Sequence, residues 1–192
     1  MQKEDSAMRV IAGEARSIPL ITPKGDDTRP TQDRIKETLF NMLQMEVPGA
    51  IFVDLYAGSG GIGIEALSRG AKHAYFIDRG GEPIKCITAN VHKCHFDEKS
   101  TIIKKDAAMA LRSIHEKEVD IIFIDPPYEA DLYEHTLRTL STLPYVTEFT
   151  TIICEAAMDE DFSFVEGMGY EIKREKTYKN NKHVFLKKVA NS

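Results

Sequence analysis

The 192-residue chain carries only three cysteines, Cys86, Cys94 and Cys154. They are widely spaced and odd in number, which argues against a disulfide framework and a Cys-x-x-Cys metal site. A reducing, cytoplasmic setting is expected. Long apolar runs are missing too. Residues 51–53 and 121–124 fall far short of the ~20 residues a membrane helix needs, so no membrane association is expected. The polar, acidic residues 1–7 have no apolar stretch behind them, and no secretory signal is expected. The histidines His73, His92, His95, His115, His135 and His183 form no ligand-spaced cluster with acids, so no metal is expected. There is no internal repeat and no low-complexity segment. Excess positive charge is also lacking. With 25 basic and 30 acidic side chains the net charge is -5, which argues against non-specific nucleic-acid binding.

What is present fits one soluble globular unit. Hydrophobic residues make up 42% and charged residues 29%, close to the average for such domains. The charge is uneven. Residues 171–192 hold seven basic side chains (Lys173, Arg174, Lys176, Lys179, Lys182, Lys187, Lys188) against two acidic ones. Such a run can be an edge strand guarded by lysines or a nucleic-acid surface.

The first thirty residues stand apart. Residues 8–12 and 18–22 are β-prone runs around a turn, which suggests a hairpin. Residues 23–27 are turn-rich. Thr31 is expected to cap a helix carrying Ile35, Leu39, Met42 and Leu43 at helical spacing and ending at Pro48-Gly49. From residue 50 apolar strands alternate with helices. Strands are expected at 50–56, 73–78, 101–104, 119–125 and 151–155, and helices at 61–69, 83–94, 107–115 and 132–140. That rhythm predicts a parallel sheet with helices on both faces. Residues 170–178 and 183–188 then form a terminal antiparallel hairpin. The division expected is residues 1–30 as an N-terminal tail and hairpin extension, and 31–192 as the main domain.

The first strand runs into Asp54-Leu55-Tyr56-Ala57-Gly58-Ser59-Gly60-Gly61-Ile62-Gly63. Gly58, Gly60 and Gly63 have the spacing of a dinucleotide-binding loop between strand and helix. Asp78 closes the second strand, where a carboxylate can accept from both hydroxyls of a ribose. These features fit a nicotinamide enzyme or an S-adenosylmethionine (SAM) enzyme, and also a tight turn without ligand. Asp54 favours SAM, because a carboxylate before the glycines would repel a pyrophosphate but attract a cationic amino group and a sulfonium. Asp106 follows the third strand. It can accept from an adenine amino group, cap the next helix, or do both.

Asp125-Pro126-Pro127-Tyr128 follows the apolar strand 119–124. Two prolines fix the backbone and remove two N–H donors, leaving carbonyls aimed outward. One carboxylate and one carbonyl held rigidly can take both hydrogens of an exocyclic amine and orient its lone pair. Tyr128 offers a face on which a base can stack.

This turn resembles the (Asn/Asp)-Pro-Pro-(Tyr/Phe) motif of methyltransferases that act on exocyclic amines. Together with Met8-Arg9-Val10-Ile11-Ala12-Gly13, the block Thr28-Arg29-Pro30-Thr31-Gln32-Asp33-Arg34, residues 54–63 and Glu65-Ala66-Leu67-Ser68-Arg69-Gly70, the chain is similar to the bacterial 16S rRNA (guanine-N2)-methyltransferase family from residue 8 onward. Arg16-Ser17-Ile18-Pro19 is less basic than that family's usual run. The resemblance implies an α/β, Rossmann-like class I SAM-dependent methyltransferase. Its sheet would be mostly parallel and seven-stranded, with a C-terminal antiparallel hairpin and a small N-terminal β-hairpin and helix extension. It implies SAM held by Asp54, Tyr56, Ala57, Gly58, Ser59, Gly60, Gly63, Asp78, Arg79, Asp106, Ala107 and Asp125. The reacting amine would lie on Asp125, Pro126, Pro127 and Tyr128. RNA contacts would come from Arg9, Arg29, Thr31 and Arg34. The implied substrate is a guanine of 16S RNA, turned out of its stack, in an assembling small subunit with ribosomal proteins, and the enzyme would act as a monomer. Other readings are a SAM-binding assembly factor without catalysis and a base N6-adenine methyltransferase of the same fold.

Overall fold

The computed structural model describes residues 8–25, 30–127 and 131–190. Seven strands form one sheet: β1 (Ile51–Leu55), β2 (His73–Asp78), β3 (Ser100–Lys104), β4 (Ile121–Ile124), β5 (Thr151–Ala157), β6 (Tyr170–Thr177) and β7 (Asn181–Lys188). Their spatial order is β3-β2-β1-β4-β5-β7-β6. The first five pair in parallel, and β7 runs antiparallel between β5 and β6. Five α-helices accompany them among the described residues: α1 (Pro30–Met42), α2 (Gly61–Ser68), α3 (Gly81–Lys93), α4 (Ala107–Arg112) and α5 (Leu132–Ser141).

The central strands are apolar on both faces because both faces are covered. In β4, Ile121 and Phe123 join the core that includes Leu39, Phe40, Ile64 and Ile87, from α1, α2 and α3. Ile122 and Ile124 join the opposite core with Leu111, Leu137 and Leu140, from α4 and α5. The alternation of period two along a buried strand therefore divides one apolar run between two layers. Strand order reverses between β1 and β4. The carboxyl ends of those two strands flank the crevice where sheets of this type bind ligands.

Several sequence-based boundaries shift. Pro30 is the first helical residue of α1, so Thr31 lies within the helix and is not its cap. Proline suits that first position, because its fixed φ is helical and its missing N–H would be unpaired anyway. The same helix stops at Met42, before Pro48-Gly49. Helix α4 is shorter than residues 107–115. The Ser113 N–H and hydroxyl both donate to the Ala110 carbonyl, which closes the last turn. The N-terminal hairpin is reduced to a single antiparallel bridge, Arg9↔Pro19, where two strands were expected.

That N-terminal segment is nonetheless tied down. Glu65 of α2 is wholly buried, and its carboxylate accepts from the Ile11 N–H (2.9 Å) and Ala12 N–H (3.1 Å). The same carboxylate pairs with Arg69 at 2.9 Å and Lys36 at 3.7 Å. Lys36 also donates to the Arg9 carbonyl at 2.7 Å. Burial pushes its ammonium pKa down, and the Glu65 charge opposes that shift. Asn90 of α3 grips Ile21 through both its N–H and its carbonyl.

Candidate functional site

A cleft of about 500 Å³ opens at the carboxyl ends of β1 and β4. Its floor is the loop Tyr56, Ala57, Gly58, Ser59, Gly61 and Ile62, with Phe123 and Asp125 from the β4 side. Met8 and the α1 residues Gln32, Asp33, Ile35, Lys36 and Leu39 form one wall. Lys179, Asn180 and Asn181 of the β6–β7 turn form another, with Glu155 and His183 beneath. A second cleft of about 370 Å³ lies beside the first and is lined by Asp125, Pro126, Pro127, Asp131, Tyr133 and Glu155, among others. Asp125 and Glu155 thus belong to both.

The glycine loop is built from backbone constraints. Gly58 has φ 57, and a Cβ added there would meet nothing within 4 Å. It faces open space in a left-handed conformation that glycine adopts without strain. Gly63 serves another purpose. A Cβ there would stand 2.4 Å from the Phe76 ring, so this glycine allows α2 to pack on β2. Neither Gly60 nor Gly63 lines the cleft, so close approach of a cofactor is not what Gly63 provides. Tyr56 holds a left-handed backbone (φ 62), and its hydroxyl pairs with Thr136 Oγ1 at 2.8 Å.

The acids at the strand ends are occupied with the loop. Asp54 is 2% exposed and accepts from the Gly63 N–H at 2.9 Å, behind the loop and outside the cleft lining. Burial, helped by the nearby Asp78 charge, pushes its carboxyl up to about 8, with the Gly63 bond opposing. At neutral pH Asp54 therefore anchors the loop largely in its neutral form. Asp78 receives the Gly58 N–H on Oδ2 (3.0 Å) and the Gly80 N–H on Oδ1 (2.8 Å). Asp106 caps α4 by accepting from the Ala108 N–H at 3.0 Å. Asp78, Arg79, Asp106 and Ala107 lie along the ends of β2 and β3, beyond the cleft lining.

Of the residues expected to meet the amine, Asp125, Pro126 and Pro127 come together at the junction of the two clefts. Tyr128 lies outside the described residues, as does Arg29. Arg9 is largely exposed, 3.8 Å from Asp33, and Arg34 is exposed on α1. Three of the seven basic residues of the tail are engaged within the protein, while Lys173, Arg174 and Lys179 are exposed. Lys182 donates to the Glu160 carbonyl, Lys187 to Phe149, and Lys188 to Ser141 and Val146. Strand β6 is an edge of the sheet, as the lysine-guarded reading requires.

Sequence reasoning missed a buried polar chain under the cleft. His183 is fully buried and lies 2.9 Å, through Nε2, from Glu155 Oε2. Its Nδ1 is 2.9 Å from the Tyr178 hydroxyl. Burial raises the Tyr178 pKa to about 12, so its hydroxyl stays protonated. Asn181 Nδ2 donates to Glu155 Oε1 at 3.1 Å, and the Tyr133 hydroxyl donates to the Glu155 carbonyl. The one signal for Glu155 in the sequence is its place at the end of an apolar strand. Nothing local marks His183, which pairs with it across β5 and β7.

Comparison with known proteins agrees with this architecture. The family model described as "Conserved hypothetical protein 95" matches residues 8–187. A Bacillus subtilis protein named "Putative rRNA methyltransferase YlbH" is 40% identical over 138 residues, covering 71% of this chain and 73% of that protein. "Ribosomal RNA small subunit methyltransferase D" of Haemophilus influenzae is 31% identical over 157 residues, covering 80% of each chain. The solved structure of "Putative methyltransferase yhhF" from Escherichia coli superposes with a TM-score of 0.80 at 27% identity, covering 95% of this chain and 98% of that one. SAM is the cofactor of this fold class. The cleft volume and the open, left-handed Gly58 fit a small ligand laid against the loop. Fold, loop and relatives converge: the chain belongs to the Conserved hypothetical protein 95 family, that of the bacterial small-subunit rRNA methyltransferases.

Proposed function

We propose that the protein methylates the exocyclic N2 amine of a guanine in small-subunit (16S) ribosomal RNA. The observation that carries this reading is the rigid Asp125-Pro126-Pro127 turn, set at the end of β4 where the two clefts meet. Relatives named as small-subunit ribosomal RNA methyltransferases support the RNA class. SAM supplies an electrophilic methyl group. Residues 56–59 would hold it in the larger cleft, and the free lone pairs of Asp78 suit its ribose hydroxyls. Asp106, which caps α4 through one oxygen, is the proposed acceptor for the adenine amine.

The reacting base enters the smaller cleft. Asp125 and the Pro126 carbonyl take the two amine hydrogens and turn the nitrogen lone pair toward the larger cleft. Prolines keep that carbonyl outward and remove competing donors. Orientation of this kind lowers the barrier without a covalent enzyme intermediate. Asp125 is the nearest acceptor for the proton the amine sheds. Tyr128 is the proposed stacking face, and Arg9, Arg29, Thr31 and Arg34 the RNA-facing residues. The segment before residue 31 acts as an RNA-binding extension of the methyltransferase domain, and an assembling particle with its ribosomal proteins is the proposed substrate. The enzyme would act as a cytoplasmic monomer.

The test is transfer from labelled SAM to naked 16S RNA, partially assembled particles and complete small subunits, followed by nucleoside analysis. N2-methylguanosine is the expected product. Label in N6-methyladenosine, or in no RNA, overturns the proposal.

A further inference from the structure

The reaction proposed above does not employ Glu155, yet this carboxylate lines both clefts beside Asp125. Parallel β4 and β5 pair Ile124 with Cys154, so Asp125, the first residue past β4, and Glu155 of β5 follow at the same level. Neighbouring strands lie about 4.8 Å apart. Two acids at one level, one just past β4 and one in the adjacent β5, can therefore bracket one edge of a base.

The surroundings of Glu155 hold it as a fixed acceptor. Its two oxygens take one bond each, from Asn181 Nδ2 and His183 Nε2. An ionised carboxylate can only accept, so the 2.9 Å contact assigns the His183 hydrogen to Nε2, facing Glu155, and leaves Nδ1 able to accept from the Tyr178 hydroxyl. His183 is itself clamped edge-on by Phe123 (5.9 Å) and Tyr178 (5.1 Å). A carboxylate has about four acceptor sites, so capacity remains on both oxygens. The side chain is 26% exposed, and what it exposes is toward the clefts.

Resting on the N2-amine reading, we infer that Glu155 is a specificity-determining residue that accepts the N1–H of the target guanine, beside the amine held by Asp125. Guanine presents N1–H and the N2 amine side by side on one edge. Adenine presents a lone pair at N1, which a carboxylate repels. A site built to accept a base N–H disfavours a base that lacks the donor, because the carboxylate then faces a lone pair where the hydrogen bond would form. His183 and Asn181 are positioning residues for Glu155.

The test uses the full chain and small-subunit RNA whose methylated position has been mapped with the wild-type enzyme. That position is rebuilt with guanosine or with 2-aminopurine riboside, which keeps the N2 amine but has no N1–H. The wild type should methylate guanosine faster by about tenfold to a hundredfold, the range for a hydrogen bond to a charged group. Glu155→Gln can donate to an unprotonated N1, so its preference should shrink about tenfold or more, with SAM affinity unchanged. A wild-type enzyme that methylates both RNAs equally overturns the inference, whatever the variant does. So does a folded, SAM-binding Glu155→Gln that keeps the full preference. If the wild type forms no N2-methylguanosine on any small-subunit RNA, the proposed reaction falls and this inference falls with it.

Discussion

Replacing Asp54 by Asn should stabilise the protein at alkaline pH and leave it unchanged near pH 4. Asp54 is 2% exposed, and burial lifts its carboxyl from the ordinary 3.8 to about 8. The sign follows from proton counting. In the unfolded chain the group loses its proton near pH 4, while in the folded chain it keeps it until about pH 8. Between those values the folded state binds more protons, so stability falls as pH rises. Each pH unit across that window contributes up to about 1.4 kcal/mol, so the full span is on the order of 5 kcal/mol at most. Asn resembles the protonated acid in shape. Its Oδ1 can accept the Gly63 N–H that Asp54 accepts at 2.9 Å, and it has no charge to desolvate. Urea unfolding of wild type and Asp54→Asn from pH 4.5 to 8.5 isolates the effect, because all other titrating groups cancel in the difference. The variant should gain on the wild type steadily with pH, reaching a few kcal/mol by pH 8. A gap that does not change with pH, or a variant weaker than wild type at pH 8, would show that Asp54 is ionised in the folded protein. The neutral-anchor reading would then be wrong.

Asp125→Ala should lower single-turnover methyl transfer by a hundredfold or more, about 3 kcal/mol, while SAM affinity changes little; loss of both in parallel would place Asp125 on the cofactor. Asp78→Ala should weaken SAM and its demethylated product alike, by roughly 1.5–3 kcal/mol in calorimetry; unchanged affinities would confine this acid to bracing Gly58 and Gly80. Gly63→Ala should destabilise the fold by roughly 1–3 kcal/mol through its clash with Phe76, read as a lower urea midpoint, and a neutral result would refute the packing role. For RNA binding, Arg9→Ala and Arg34→Ala should each reduce the slope of log affinity against log salt by about 0.7–0.9. Lys187→Ala should leave it unchanged, since that ammonium is committed to the Phe149 carbonyl.

The sheet was legible because buried parallel strands are short apolar runs bounded by turns. Residues 73–78 coincide with β2, and 121–124 fall inside the run expected from 119 to 125. The glycine loop and the Pro-Pro turn were legible because their chemistry is local: left-handed glycines and prolines announce themselves in order along the chain. Helix ends were harder. Ser113 closes α4 with bonds to Ala110 that hydrophobic periodicity does not register. Glu155 and His183 could not be paired from sequence, because β5 and β7 bring them together across 28 residues. The bonds of Lys182, Lys187 and Lys188 were illegible for a related reason. Their partners are backbone carbonyls of distant segments, which carry no signature in the sequence.

The buried carboxylate of Glu65 has a consequence for how this enzyme can be dissected. One side chain in the helix that follows the glycine loop receives two backbone N–H groups of the N-terminal segment and two cationic side chains. Cutting away the chain before residue 26 would not trim a detachable arm. It would strip Glu65 of both amide donors, Lys36 of its carbonyl acceptor, and Asn90 of its two bonds to Ile21. Met8, whose sulfur meets the Ser59 hydroxyl, would leave the cleft wall as well. The piece proposed to touch RNA and the loop proposed to hold the methyl donor are therefore mechanically one part, and RNA drawing on the first segment would tug on α2 and the turn at its start.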